Sequence, residues 1–196
     1  MADIVTNFTE ASEQIVIDLI NNDNSSALTE ALITFGLPTT TTGTSPARNT
    51  QVTITAVAGS GYTGSVTVQY NRVDLSTLPT INTSAQTVFS LGDAVNISDL
   101  IDEINTAFGI NLSNANTQNP DFVDGPLPTF TGGIANEEHP FNVVADENSL
   151  VWINQMTLTV QANDIALSTV VTNLVLNGLT YLAPPAPSPT PTPTPS

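Results

Sequence analysis

From Asn49 onward the apolar residues of this chain begin to alternate, and that change of period most narrows the folds open to it. Val52, Ile54 and Ala56 alternate with Thr53, Thr55 and Val57, and Val66, Val68 and Tyr70 alternate with Thr67 and Gln69. A period of two turns one side of an extended chain toward a core and leaves the other wet, so each run reads as a half-buried strand. Gly59-Ser60-Gly61-Tyr62-Thr63-Gly64 joins them with turn residues, which makes the pair a hairpin. Further strand character falls at Val88, Phe89 and Leu91, at Val151-Trp152-Ile153, and at Met156, Leu158 and Val160. The Asn177-Gly178 pair between the apolar runs of Leu174–Tyr181 predicts one more hairpin.

Two stretches keep helical spacing. Phe8, Ala11, Ile15 and Leu19 predict a first helix, with Asn7 and Glu10 placed as a capping box. Ser26 is placed to cap a second short turn ending near Gly36 and closed by Pro38, and Thr39 to Pro46 reads as a loop. Ile97, Leu100, Ile101, Ile104 and Phe108 predict a stronger amphipathic helix, capped by Ser98 and stopped by Gly109. Residues 111–149 carry Pro120, Pro126, Pro128 and Pro140 and read as loop.

A faint internal repeat links the two helices. Ile17-Asp18-Leu19-Ile20-Asn21 aligns without gaps with Ile101-Asp102-Glu103-Ile104-Asn105, and Leu28-Thr29 aligns with Leu112-Ser113 at the same offset. Leu37-Pro38-Thr39 is echoed by Leu127-Pro128-Thr129. Chance matching of a common amphipathic pattern is the competing explanation. The expected fold is α+β and β-dominated: a helix-and-hairpin module over 1–80, a second helix and β-rich module over 81–183, and a tail over 184–196. The tail, with Pro184, Pro185, Pro187, Pro189, Pro191, Pro193 and Pro195, can form neither helix nor central strand and reads as extended polyproline. Those prolines are the candidate partner-binding residues. Polyproline conformation is already restricted, so docking it as an arm on a neighbouring subunit sacrifices little entropy.

Charge removes whole classes of partner. Eighteen Asp and Glu face only Arg48 and Arg72, for a net charge of -16. Nucleic-acid binding, which relies on cations neutralising phosphates, is not expected, nor is adsorption to an anionic membrane. No apolar run approaches a membrane span of about 20 residues. The opening Met1-Ala2-Asp3-Ile4-Val5-Thr6-Asn7 has no basic or apolar region of a secretory leader, so none is expected. The polar character comes from 30 Thr and 20 Asn, which suit pleated surfaces and turns.

Chemistry finds few footholds. With no cysteine there are no disulfides, thiolate metal sites or thiol nucleophiles. Gly59-Ser60-Gly61-Tyr62-Thr63-Gly64-Ser65-Val66 matches the kinase phosphate loop. The lysine and the Asp-Phe-Gly metal site that such chemistry needs are missing, however. His139, the single histidine, sits in Glu137-Glu138-His139-Pro140 with no G-x-S-x-G elbow anywhere. A glycosidase needs only two carboxylates, but one Trp and three Tyr leave few platforms for sugars. Asp99, Asp102 and Glu103 suit the dipole of a helix start. Asp121 with Asp124, Glu137 with Glu138, and Asp146 with Glu147 are acid pairs that can ligate calcium, although none follows the EF-hand order. No cofactor is expected, and the chain reads as a non-enzyme.

The segment Arg48 to Leu75, with its Thr-rich hairpin, resembles a module of tailed-bacteriophage virion structural proteins, in which a helix with a Leu/Ile-Ile-Asn ending also precedes the hairpin, as Ile15 to Asn21 does here. The resemblance covers roughly the first 75 residues and, more weakly, the second helix. It implies a virion component whose partners are other virion proteins of a capsid or tail lattice, or copies of itself. The reading that follows is a capsid decoration or cement protein. A neck, tail or baseplate accessory role is one alternative, and a bacterial surface adhesin or carbohydrate-binding module is another.

Overall fold

A computed structural model describes residues 7–41, 48–130 and 136–162, all within one compact unit, Met1–Asp164. The proline-rich tail and the Asn177-Gly178 hairpin lie outside the described residues. The architecture is α+β, with helices α1 (Ser12–Asn24), α2 (Leu78–Ile81) and α3 (Ile101–Phe108) among several short sheets.

The predicted hairpin forms: β3 (Thr50–Ala56) pairs antiparallel with β4 (Ser65–Tyr70), Thr50 opposite Tyr70. Gly59, Gly61 and Gly64 in its loop take φ of 83°, 89° and 81°, a region that glycine enters without strain. On the far edge of β3 lie β1 (Ile33–Phe35) and β2 (Thr39–Thr40), both antiparallel to it. The turn expected between Ser26 and Gly36 is therefore partly strand. Ile33 and Phe35 are buried and Thr34 is exposed, so period two, not a helical turn, decides this stretch.

A second antiparallel pair joins β7 (Glu138–Val144) to β9 (Gln155–Gln161), with His139 opposite Val160. β6 (Val88–Ser90) completes this sheet by running parallel to β9 on its other edge. Two further short strands, β5 (Val73–Asp74) and β8 (Trp152–Ile153), pair in parallel. β7 lies in the region read as loop. It tolerates Pro140 because that residue falls on the sheet's outer edge. The bond from Ala162 N–H to the Glu137 carbonyl, 2.8 Å, sets the alternation and turns the Pro140 nitrogen away from β9.

Helix starts differ from expectation in detail. Asn7 Oδ1 accepts from the backbone and hydroxyl of Thr9, and α1 begins only at Ser12. Ahead of α3 the capping box belongs to Asn96 and Asp99. Ser98 instead donates from its backbone N–H and its hydroxyl to Asp124, at 2.9 and 2.7 Å.

The repeat seen faintly in the sequence is carried by matching hydrogen bonds. α1 ends on Ser25 at φ 53° and α3 on Gly109 at φ 66°, their N–H groups bonded to the Asn21 and Asn105 carbonyls. Asn21 then clamps Leu28, donating to its carbonyl at 2.8 Å and accepting from its N–H at 2.7 Å. Asn105 clamps Leu112 in the same way, at 3.0 and 2.8 Å. Downstream, Ile33 lies opposite Ala56 in one module and Phe122 opposite Ala145 in the other. A single core draws on both halves of the described chain, including Ile17, Val52 and Leu75 with Ile104, Leu112, Trp152 and Leu158.

Candidate interaction surface

Between Glu30 and Asp74 the chain has no acidic residue, and both of its cations, Arg48 and Arg72, fall within that stretch. The fold gathers the stretch into the β1–β4 sheet. The outward residues are uncharged: Thr53, Thr55, Thr67 and Gln69 are exposed, and Gln51 is half-buried. They bond across the strands, Thr53 to Thr67 hydroxyl at 2.9 Å and Gln69 Nε2 to Gln51 Oε1 at 3.5 Å. A chain with a net charge of -16 thus presents one face made of hydroxyls and amides alone, a surface that can meet another protein without desolvating carboxylates. Charge spacing in the sequence already held this signal, and composition alone concealed it.

The hairpin tip is turn chemistry. Each of its three glycines sits at positive φ, with nothing within 4 Å of where a Cβ would stand. The loop links two antiparallel strands, whereas a dinucleotide loop opens a helix.

A buried polar junction ties the segments around Ser12, Phe35 and Gly36 to residues 118–121 and to Ser149. Asp121 is buried and accepts from the Ser12 hydroxyl at 2.6 Å, the Ser149 hydroxyl at 3.0 Å and the Ser113 N–H at 3.0 Å. Burial outweighs those donors and, with a smaller push from Glu13, raises its carboxyl to about 6. Asn119 donates to the carbonyls of Gly36 and Asn148, Gln118 to that of Phe35, and Asn116 to the Glu13 carboxylate. Arg72 adds a second clasp, donating from Nη1 to the carbonyls of Glu147 and Ser149 at 3.1 and 2.9 Å and from Nε to the Thr50 hydroxyl at 2.8 Å. Its neighbour Tyr70 donates to the Leu150 carbonyl at 2.7 Å, and burial pushes the phenol's pKa up. A cleft of about 320 Å³ beside Arg72 is lined by Asn49, Asp146, Glu147 and Asn154. The bonds of Arg72 make its guanidinium a clasp between β3 and the segment 147–149.

The other candidates are scattered. His139 bonds Glu137 at 2.8 Å and packs on Phe130, ring centroids 4.7 Å apart. The Asp121 and Asp124 pair is split, one carboxyl buried in the junction and the other held by Ser98. Backbone N–H groups of Asn96 and Val95 hold Asp99 below the usual carboxylate range. Among the described residues no three His, Asp or Glu side chains converge as a metal site, and no helix is long and apolar enough to cross a membrane. Pro184, Pro185, Pro187, Pro189, Pro191, Pro193 and Pro195 lie outside the described residues.

No curated protein and no solved structure matches this chain. Residues 6–193 match the model of a family described as a family of unknown function (DUF7941), and the chain belongs to that family.

Proposed function

We propose that this protein is a non-enzymatic virion structural protein of a tailed phage that binds a repeating protein lattice, as a capsid decoration or cement protein. The observation that carries the proposal is the outward face of β3 and β4: exposed, uncharged, laddered by Thr53, Thr67, Gln51 and Gln69, and free of acidic residues in a strongly acidic chain. Such a face suits docking on a protein surface. It offers no array of cations for phosphate and no stacked aromatics for sugar. The resemblance of the Arg48–Leu75 segment to virion modules supplies the lattice.

The test is to locate the protein on purified particles by electron microscopy and to repeat the measurement with Thr53→Glu/Thr67→Glu. The reading expects lattice sites occupied by the native protein and emptied by the variant. Full occupancy by the variant removes this face from the docking role, and absence of the native protein from particles removes the virion assignment.

A further inference from the structure

We propose that the outer edge of β4 is a homotypic docking site, at which β4 of a second copy adds antiparallel to join the two sheets. The bond from Ala56 N–H to the Gly64 carbonyl, 3.0 Å, sets the alternation of the β3–β4 ladder. By that alternation Val66, Val68 and Tyr70 turn their backbone groups to β3, while Ser65, Thr67 and Gln69 turn theirs outward. Among the described residues no strand pairs with that edge, and Ser65, Thr67 and Gln69 are all exposed.

Exposed edges are normally guarded by proline, charge or a covering segment. The equivalent sheet of the second module follows that rule, with Glu138 and Pro140 on the outer edge of β7 and β6 covering β9. Ser65-Val66-Thr67-Val68-Gln69-Tyr70 of β4 has no charge and no proline, and among the described residues no strand covers its outer edge.

The occupant follows from charge and from self-complementarity. Across most of its length a second copy brings carboxylates, but from residue 31 to 73 it brings none. Two β4 strands related by a twofold axis at Thr67 exchange Thr67 N–H and carbonyl with each other, and place Ser65 opposite Gln69. The same register sets Val66, 56% exposed, beside the half-buried Val68 of the second copy and covers both. An axis of this kind closes the assembly as a dimer. The proposal extends the lattice-binding reading, yet its test needs no particle, so the two can fail separately.

The full chain is examined by analytical ultracentrifugation over a dilution series, as the native protein and as Thr67→Pro and Val66→Lys. Thr67→Pro deletes an outward N–H and spares the β3 ladder, and Val66→Lys places a charge where the second copy would pack. The native protein is expected to dimerise, more tightly as salt screens its net negative charge. Both variants should lose the dimer while keeping their circular dichroism. Because the chain has no cysteine, Thr67→Cys is expected to oxidise to a covalent dimer, since a twofold hydrogen-bonded pair sets its Cα atoms about 5.5 Å apart. Thr55→Cys, on the far side of the hairpin from that edge, is expected not to. A native protein monomeric at every concentration overturns the proposal. So does a dimer that survives both edge variants, dissolves with salt, or fails to cross-link through position 67.

Discussion

Two antiparallel pairs among the described residues, the hairpin β3–β4 and the pair β7–β9, share a plan and differ in what surrounds them. In the second, β9 lies between β6 and β7, and its inward residues Met156, Leu158 and Val160 are all buried. In the first, β4 has a strand neighbour on one side only among the described residues, and its inward residues run from exposed Val66 through half-buried Val68 to buried Tyr70. A third strand therefore separates a core pair from a projecting hairpin. The covered pair is tied into the core, while the other leaves uncharged residues exposed, the surface on which the proposed docking rests.

If that division is right, Met156→Ala should destabilise the protein by about 2–5 kcal/mol, the usual cost of truncating a core side chain. Met156 is 1% exposed and points inward near the start of β9. Chemical denaturation measures this directly. A loss under about 1 kcal/mol would mean that the second pair is no better anchored than the first.

The next largest effect concerns Asp121, in the buried polar junction. Its folded-state value of about 6 stands above the ordinary 3.8, so the folded protein holds its proton more tightly than the unfolded chain. The associated stability is fully present below about pH 4 and is lost as pH rises through about 6, in total on the order of 3 kcal/mol. Acidification from pH 7 should therefore raise the melting temperature of the native protein by more than that of Asp121→Asn. Comparing the two isolates this carboxyl from the other 17 acidic residues. Parallel pH profiles would show that the three donors from Ser12, Ser149 and Ser113 keep it ionised.

How much of this was legible in the sequence depended on distance along the chain. The β3–β4 hairpin and α3 follow from periodicity, because a strand or helix writes its pattern into consecutive residues. β7 was hidden because Pro140 normally argues against a strand, and only the edge position seen in three dimensions makes it harmless. The Asp121 junction was illegible for a stronger reason. Ser12 and Ser149 come from opposite ends of the described chain, and nothing local marks either as the partner of a buried acid. The repeat was intermediate. Asn21 with Leu28 and Asn105 with Leu112 were visible as a spacing, but the paired bonds that give the spacing a cause appear only in the fold.

That repeat allows a finer comparison. Asn21→Ala and Asn105→Ala each remove a side chain that both donates to and accepts from a leucine backbone, so each should cost about 1–3 kcal/mol. Asn105 should stand at the upper end, since Leu112 is fully buried and Leu28 only partly. The reverse order would break the equivalence of the two clamps.

The smallest effect tests the projecting hairpin itself. Val66 is 56% exposed, so its truncation removes little apolar area from a core, and Val66→Ala should change the stability of dilute protein by less than about 0.5 kcal/mol. Met156 occupies the matching inward position on β9, so the contrast between the two truncations comes from surroundings more than from chemistry. Concentration then adds information. A partner that binds only the folded state stabilises it by mass action. If the edge of β4 pairs with a second copy, the penalty of Val66→Ala should grow as the protein is concentrated, because the native chain gains a contact that the variant makes poorly. A penalty that stays small at every concentration would leave β4 a projecting hairpin with no strand added to it. A large penalty in dilute solution would mean that Val66 is packed within the monomer, and the difference between the two pairs would disappear.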